Sequence, residues 1–517
     1  MGRCTCERRL IRSTGRYPQP FMGCAGVARG HHHACENSRH FVHQGQCCSL
    51  PIWYRCDHQG ADVTDSATRK SRRFCFSDPN EQNTSETMSI LRKSLAEITT
   101  ADLDALIASE ARETGELEFK GSLPFVPTKG QPATSDRWIE KGDRVGDYAR
   151  DQILAEIVAF ANADGGTLIL GMHETKDEPR RAASLETLPN CEGLARRLID
   201  ATEDVIEPRL PTIAARALAA SEDGSGYVVL RVGKSLAAPH RLTTTREFYV
   251  RRGERAAKMS VREIKDHTID STRSADRLEE AFTERRSNAS HHYNALLKKA
   301  QGKEPGIPPL VLRATAIPTT PQSIPDLTRR QDLWWKGMAF KLNVGEGEID
   351  CGYPLRACAD PPRNRLRALV SDVDPTDDTV PRLVRADGTV EFLICHHVGQ
   401  SSRGGSGPRI YLGWLIGLIV GVICQVEHLR KRLAWDAVEF GLEVEIWSAA
   451  PLSVTWTDRD YGSSSLKDEL PLTLPRYSLA PGTELDDLLS LIVRDIFDAC
   501  GSSRSEKCSV PWQGLSN

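Results

Sequence analysis

Fifteen residues constrain this chain more than any others: Ile157-Val-Ala-Phe-Ala-Asn-Ala-Asp-Gly-Gly-Thr-Leu-Ile-Leu-Gly171. From about Arg144 to Asn162, residues Ile153, Leu154, Ile157, Val158 and Ala161 fall on one helical stripe. Asp164-Gly165-Gly166 should stop that helix, because glycine adopts the left-handed C-cap conformation. Asn162 can bond neighbouring backbone groups at the helix end. Thr167 to Met172 then reads as a buried strand. The dipole at a helix C-terminus repels anions, so the two glycines are a structural stop and not a phosphate cradle.

The flanking segments extend this pattern. Thr99 or Thr100 can cap a helix running to about Arg112, with Leu103, Leu106 and Ile107 on one face. A turn at Thr114-Gly115 leads to a strand from Glu116 to Lys120. Alternation there sends Leu117 and Phe119 to the core and Glu116, Glu118 and Lys120 to a solvent-facing side. Residues 121–142 are polar and make a long loop. A third helix is expected from Cys191 to Ile206, with Leu194, Leu198 and Ile199 inward. Strands follow at Ile213–Leu218 and Tyr227–Val232, joined by a turn at residues 222–226, and another at Glu247–Arg251. Ser260-Val-Arg-Glu263 is a capping box that opens a further helix. The order fills one α+β domain over residues 95–272.

At 517 residues the chain is too long for one ordinary core. Residues 311–500 read as a second α+β domain, with Trp334-Trp335, a long helix from about Leu412 to Phe440 and an alternating strand from Leu442 to Trp447. The charged stretch 273–310, helical at most, reads as a linker, and 501–517 as a loose tail. Residues 401–408 are a Gly-rich loop without the Lys-Ser/Thr of a nucleotide-binding site. Residues 1–87 lack any apolar period, and regular patterning begins at Met88, so they read as an unstructured or over-extended N-terminal segment. A zinc module built from His31, His32, His33, Cys35, His40, His43, Cys47 and Cys48 is the alternative there, but its ligands are not paired at repeated spacing. Of fifteen cysteines, eight precede residue 88 and the others are scattered singly, as in a reducing, cytoplasmic compartment. The most apolar segment, Trp414–Val426, is too short to span a bilayer, so no membrane role is expected. Net charge is −3, so a nucleic-acid footprint would have to be local.

Five pieces in order resemble the Schlafen-type AlbA_2 family: Glu113-x4-Glu118-Phe-Lys120, Ala159-Phe-Ala-Asn162, Gly165-Gly166 with its strand to Gly171, Ala238-Pro239-His240, and Phe248-Tyr-Val-Arg-Arg-Gly253. The resemblance covers about a third of the chain. It implies an AlbA_2-like mixed sheet with flanking helices, and DNA or RNA as partner. Nuclease members use clustered acids, which carry over here to Glu113, Glu118 and Glu174; the last stands where the family has aspartate. Such a cluster would bind Mg2+ or Mn2+, which prefer oxygen ligands, with Lys120 holding a phosphate. Nucleic-acid contacts are expected from Lys120, Arg231, Lys234, His240, Arg241, Arg246, Tyr249, Arg251, Arg252 and Arg255, a basic stretch with interleaved aromatics. Asn162, Gly165 and Gly166 are expected to be structural.

Three functions remain open at this point. One is a cytoplasmic, bacterial nucleic-acid-binding module, such as a regulator or defence component. The second is a divalent-metal-dependent endonuclease, and the third a protein–protein adaptor that keeps only the fold. The C-terminal domain could supply a homo-oligomer contact or a partner-protein site.

Overall fold

The computed structural model of the protein describes residues 90–517 except 124–138, 141–143, 301–308, 345–346, 357–359, 372, 374–378, 397–408, 456–462, 503–506 and 516–517. The N-terminal segment with its zinc alternative, Met88, most of the 121–142 loop and the Gly-rich loop lie outside the described residues. The fold is α+β, as expected.

The first domain is built on a mixed four-stranded sheet. Helix α1 (Thr100–Ala108) precedes β1 (Leu117–Lys120), then α2 (Asp147–Ala161) leads into β2 (Gly165–Leu170). A short pair, β3 (Met172–Glu174) and β4 (Ala182–Leu185), is followed by α3 (Cys191–Val205), β5 (Ile213–Ala219) and β6 (Gly226–Gly233). The strand order is β1-β2-β6-β5, with β1 parallel to β2 and the other pairs antiparallel. A hairpin, β7 (Tyr249–Arg252) and β8 (Arg255–Lys258), closes the domain.

Both faces of this sheet are covered. Leu117, Phe119, Ile169 and Val229 pack with Leu103 and Leu106 of α1 on one side. Leu168, Leu170, Val228 and Leu230 pack with Ile153, Leu154, Ile157 and Phe160 of α2 and Leu194 and Leu198 of α3 on the other. A strand covered on both sides has no solvent face, so the expectation that Glu118 faces water is corrected: it is buried under α2.

Helix α2 ends at Ala161, and Asn162 keeps right-handed backbone angles. Gly165, at φ +88°, is therefore not the helix cap but the entry to β2. A Cβ on Gly166 would lie 2.2 Å from the Phe160 ring, so glycine here lets the helix fold back onto its own strand.

The second domain carries an eight-stranded sheet. Helix α4 (Val261–Ala300) leads to β9 (Leu310–Pro318), β10 (Arg363–Arg365), β11 (Ala368–Val370), β12 (Arg382–Arg385) and β13 (Val390–His396). After α5 (Leu412–Leu433) come β14 (Phe440–Ser448), β15 (Leu472–Thr473) and β16 (Tyr477–Leu479), and then α6 (Leu485–Ala499). The order is β10-β11-β12-β13-β9-β14-β15, with β16 also paired to β14. Helix α5 fills the core on one face: Leu415, Ile416, Ile419 and Ile423 pack with Leu312, Ala314, Phe392 and Val444. It is long and apolar enough to cross a membrane, yet 83% of its most apolar stretch is buried in the protein, as befits a core helix. It stops at Ala434, earlier than the sequence pattern implied.

The stretch expected as a linker is instead helical to Ala300, and its apolar residues are not free. Leu278 and Phe282 pack on Ile317, and Tyr293 and Leu296 on Val311 and Leu393, so α4 covers the second face of the large sheet. The two sheets meet at Asp436. It pairs with Arg231 of β6 at 2.6 Å and accepts from Ser94 Oγ at 3.0 Å and from the Leu95 backbone.

Candidate functional site

Covering both faces of β1 forces its charged residues to find partners inside the protein. Glu118 accepts from Lys120 Nζ on one oxygen and from Arg251 Nη1, at 2.9 Å, on the other. Arg251 also donates to Glu156 of α2 at 2.9 Å and to the Thr114 carbonyl at 3.0 Å, with its guanidinium 4.6 Å over the Phe160 ring. Only 2% of the Arg251 side chain is exposed. Lys120 also reaches Glu156, at 3.7 Å.

Glu113 enters from the turn before β1. It accepts from the Phe119 backbone N–H at 3.0 Å and is buried. Glu174, from β3, adds its charge to the surroundings of Glu113 and pairs with Arg180. Its Oε2 is buried without a hydrogen-bond partner. Four carboxyls (Glu113, Glu118, Glu156, Glu174) thus face three cations (Lys120, Arg180, Arg251). Burial first, then the neighbouring charges of Glu118 and Glu174, push the Glu113 carboxyl up to about 8. With Glu113 neutral, the remaining three acids match the three cations. Burial and Glu118 likewise push Glu156 upward.

The structure gathers Glu113, Glu118 and Glu174, the acids carried over from the family resemblance, together with Glu156 and Arg180. Glu156 carried a signal in the sequence: it interrupts an otherwise apolar run from Ile153 to Ala161. Arg180 carried none. In the arrangement seen here the acids are turned to cations and form no metal cradle. Among the described residues no three His, Cys, Asp or Glu side chains converge as ligands, and both oxygens of Glu118 are occupied by cations.

The basic stretch divides into buried and exposed members. Arg231, His240 and Arg251 were expected at a nucleic-acid surface, and all three are buried. Arg231 spans the domain junction, donating to Asp436 and to the Ile90 and Lys93 carbonyls. The His240 backbone N–H donates to Asn162 Oδ1 at 2.7 Å, its Nδ1 contacts the Pro208 carbonyl at 2.7 Å, and burial holds its imidazole below the ordinary value. Asn162 Nδ2 donates to the His240 and Tyr249 carbonyls, both at 2.8 Å. Asn162 thus clamps segments some eighty residues apart and does not cap its own helix through its side chain.

The exposed members are Lys234, Arg246, Arg252 and Arg255, joined by Lys258 of β8, and Arg241 is half-buried. Lys234 pairs with Asp164 at 3.0 Å, Arg241 with Glu207 at 2.8 Å, Arg252 with Glu263 at 2.8 Å and Lys258 with Glu247 at 2.9 Å. Arg255 pairs with Glu178, and Arg246 is exposed at a left-handed φ of +60°. Tyr249 is half-buried against the α2 side of the core. Solvent-exposed pairs of this kind are each worth about 0–1 kcal/mol, so their cations can exchange partners at little cost.

Comparison with protein families matches residues 113–260 to the model described as Schlafen, AlbA_2. Two solved structures are similar over part of the chain. The DIP2311 protein from Corynebacterium diphtheriae is 19% identical over 35% of this chain and 27% of its own, with a TM-score of 0.19. The N-terminal domain of a RecG-related protein from Nitrosomonas europaea is 15% identical over 27% of this chain and 74% of its own, with a TM-score of 0.18. This chain thus spans about a quarter of the first of these. No curated protein matches it. The matched segment contains the gathered acids, the glycine entry to β2, the Asn162 clamp and the basic hairpin, and residues 113–260 are a Schlafen-type AlbA_2 domain.

Proposed function

We propose that the AlbA_2 domain binds nucleic acid, as part of a DNA-binding regulator or defence component. The observation that carries this reading is the β7–β8 hairpin inside the family-matched segment. It presents Arg252, Arg255 and Lys258 to solvent in weak, exchangeable pairs. Phosphates can replace those carboxylates, and counterions released from the nucleic acid then drive binding. The full chain, titrated against labelled duplex DNA and structured RNA at several salt concentrations, should bind with an affinity that falls steeply with salt. Replacing Arg252, Arg255 and Lys258 with alanine should reduce the slope of log affinity against log salt by about 1 per lost contact. Absence of binding to either nucleic acid at low salt would overturn the proposal in favour of an adaptor.

A second reading, a divalent-metal-dependent endonuclease, draws on the gathering of Glu113, Glu118 and Glu174 with one carboxyl lacking a counter-charge. It requires Glu118 to release Lys120 or Arg251. Cleavage that appears with Mg2+ or Mn2+, stops with EDTA and is lost in Glu118→Gln would support it. Intact substrate under all metal conditions would exclude it.

A further inference from the structure

At the edge of the large sheet, far outside the family-matched segment, β10 and β11 form a hairpin with Arg365 paired to Ala368. Its two turn residues are Leu366 and Arg367. Leu366 is 95% exposed, the most exposed of the large apolar side chains among the described residues. Arg367 has φ +53°, a left-handed angle that glycine or asparagine usually occupies. The tip therefore carries a strained arginine and an unburied leucine where a plain turn would use small polar residues.

Two hydrogen bonds tie the hairpin to neighbouring segments. Ala386 N donates to the Arg367 carbonyl at 2.9 Å, and Gln331 Nε2 donates to Asn364 Oδ1 at 3.0 Å. Among the described residues, Glu284 and Asp387 both pair with Arg385, at 2.9 and 3.4 Å. Arg365 and Arg367 form no ion pair with any described residue, and both are exposed. Charged edge strands commonly serve to block strand-to-strand aggregation, but that purpose calls for charge alone and is poorly served by an exposed leucine at the tip.

We propose that this hairpin is a second nucleic-acid contact, in which Arg365 and Arg367 engage phosphates on either side of a duplex groove and Leu366 enters between them. Exposed arginines supply the sequence-independent phosphate contacts, and an apolar wedge at a groove floor unstacks a base step. The inference rests on the nucleic-acid-binding reading above and extends it to the second domain.

The test uses the full chain with a 20-base-pair DNA duplex, the matching RNA duplex and vesicles containing anionic phospholipid. Replacing Arg365 and Arg367 with alanine should flatten the salt slope on a duplex by about 2. Replacing both with lysine should restore the slope. Leu366→Ser should weaken binding several-fold and leave the slope unchanged, because it removes no charge. All three positions are exposed, so Tm should stay constant. Whichever duplex shows the slope change identifies the ligand. If the parent binds a duplex and the alanine variant keeps the same slope, the hairpin proposal fails and the AlbA_2 reading stands. If the parent binds neither duplex, both fail. Binding confined to vesicles and lost in the alanine variant would reassign the hairpin to a membrane surface and overturn the proposal.

Discussion

The two sheets each bury a charged cluster, and the clusters differ in charge balance. On the large sheet, Arg313 is fully buried and donates to Glu445 at 2.7 Å, to Glu443 and to Thr315 Oγ1 at 2.7 Å. Glu391 faces Arg285 of α4 at 3.4 Å, and Glu443 also accepts from Arg286 at 2.6 Å. With Arg476 and Glu279 closing the edge, four arginines meet four glutamates. On the AlbA_2 sheet, four carboxyls meet three cations, and Glu113 is held neutral by its surroundings. A balanced cluster fastens α4 to its sheet. In the unbalanced one, burial and the neighbouring acids push the Glu113 carboxyl up to about 8.

Breaking the balanced cluster should have the largest effect. Arg313→Met leaves Glu443 and Glu445 short of a buried partner, and removing one member of such a pair costs about 3–5 kcal/mol. Thermal unfolding should show a clear loss in Tm or in soluble protein. An unchanged Tm would mean the network contributes nothing net. Arg251→Met removes the cation shared by Glu118 and Glu156, and the same mechanism predicts a loss of about 3 kcal/mol, at the lower end because Lys120 remains. Should Arg251→Met prove as costly as Arg313→Met, the two clusters would be equally structural and the contrast would fail.

Glu113 sharpens the comparison through pH. Its carboxyl is raised from an ordinary value of 4.5 to about 8 in the folded protein, so folding favours the protonated form. Its contribution to stability is complete below about 4.5, declines as pH rises and is fully lost above about 8. Glu113→Gln keeps the shape and stays neutral, so it should flatten that decline and raise Tm at pH 8.5, with little change at pH 5. A parallel pH dependence in wild type and variant would place the titration elsewhere. The smallest effect on stability belongs to the surface: Arg255→Ala, which removes an exposed pair with Glu178, should change stability by no more than about 0.5 kcal/mol.

Local pattern made much of the fold legible. The stripe of α2, the turn into β1 and the alternation of Leu117 and Phe119 all depend on neighbours within a few residues. So does the capping box, in which Glu263 accepts from the Ser260 N–H at 2.7 Å and is held down at about 2. That Glu113, Glu118 and Glu174 would gather was implied by the family resemblance alone, not by any local pattern. The partners of the charged residues were not legible. Arg251 meets Glu118 across 133 residues and Arg231 meets Asp436 across 205, and no periodicity encodes such pairings. The basic stretch read as one patch because charge is visible in a sequence and burial is not.

The sequence by itself determined the α+β class and the main helices and longer strands of the AlbA_2 domain, but not the β3–β4 pair or β8. These follow from side-chain period and turn chemistry, whereas the clustering of three acids was implied only by the family resemblance. Tertiary structure decided that β1 has no solvent face, that the supposed linker is a packed helix, and that Arg231, His240 and Arg251 serve the interior. The reason is the same in all three cases. Alternation states which side chains share a face, and only the elements packed against that face determine whether it meets water.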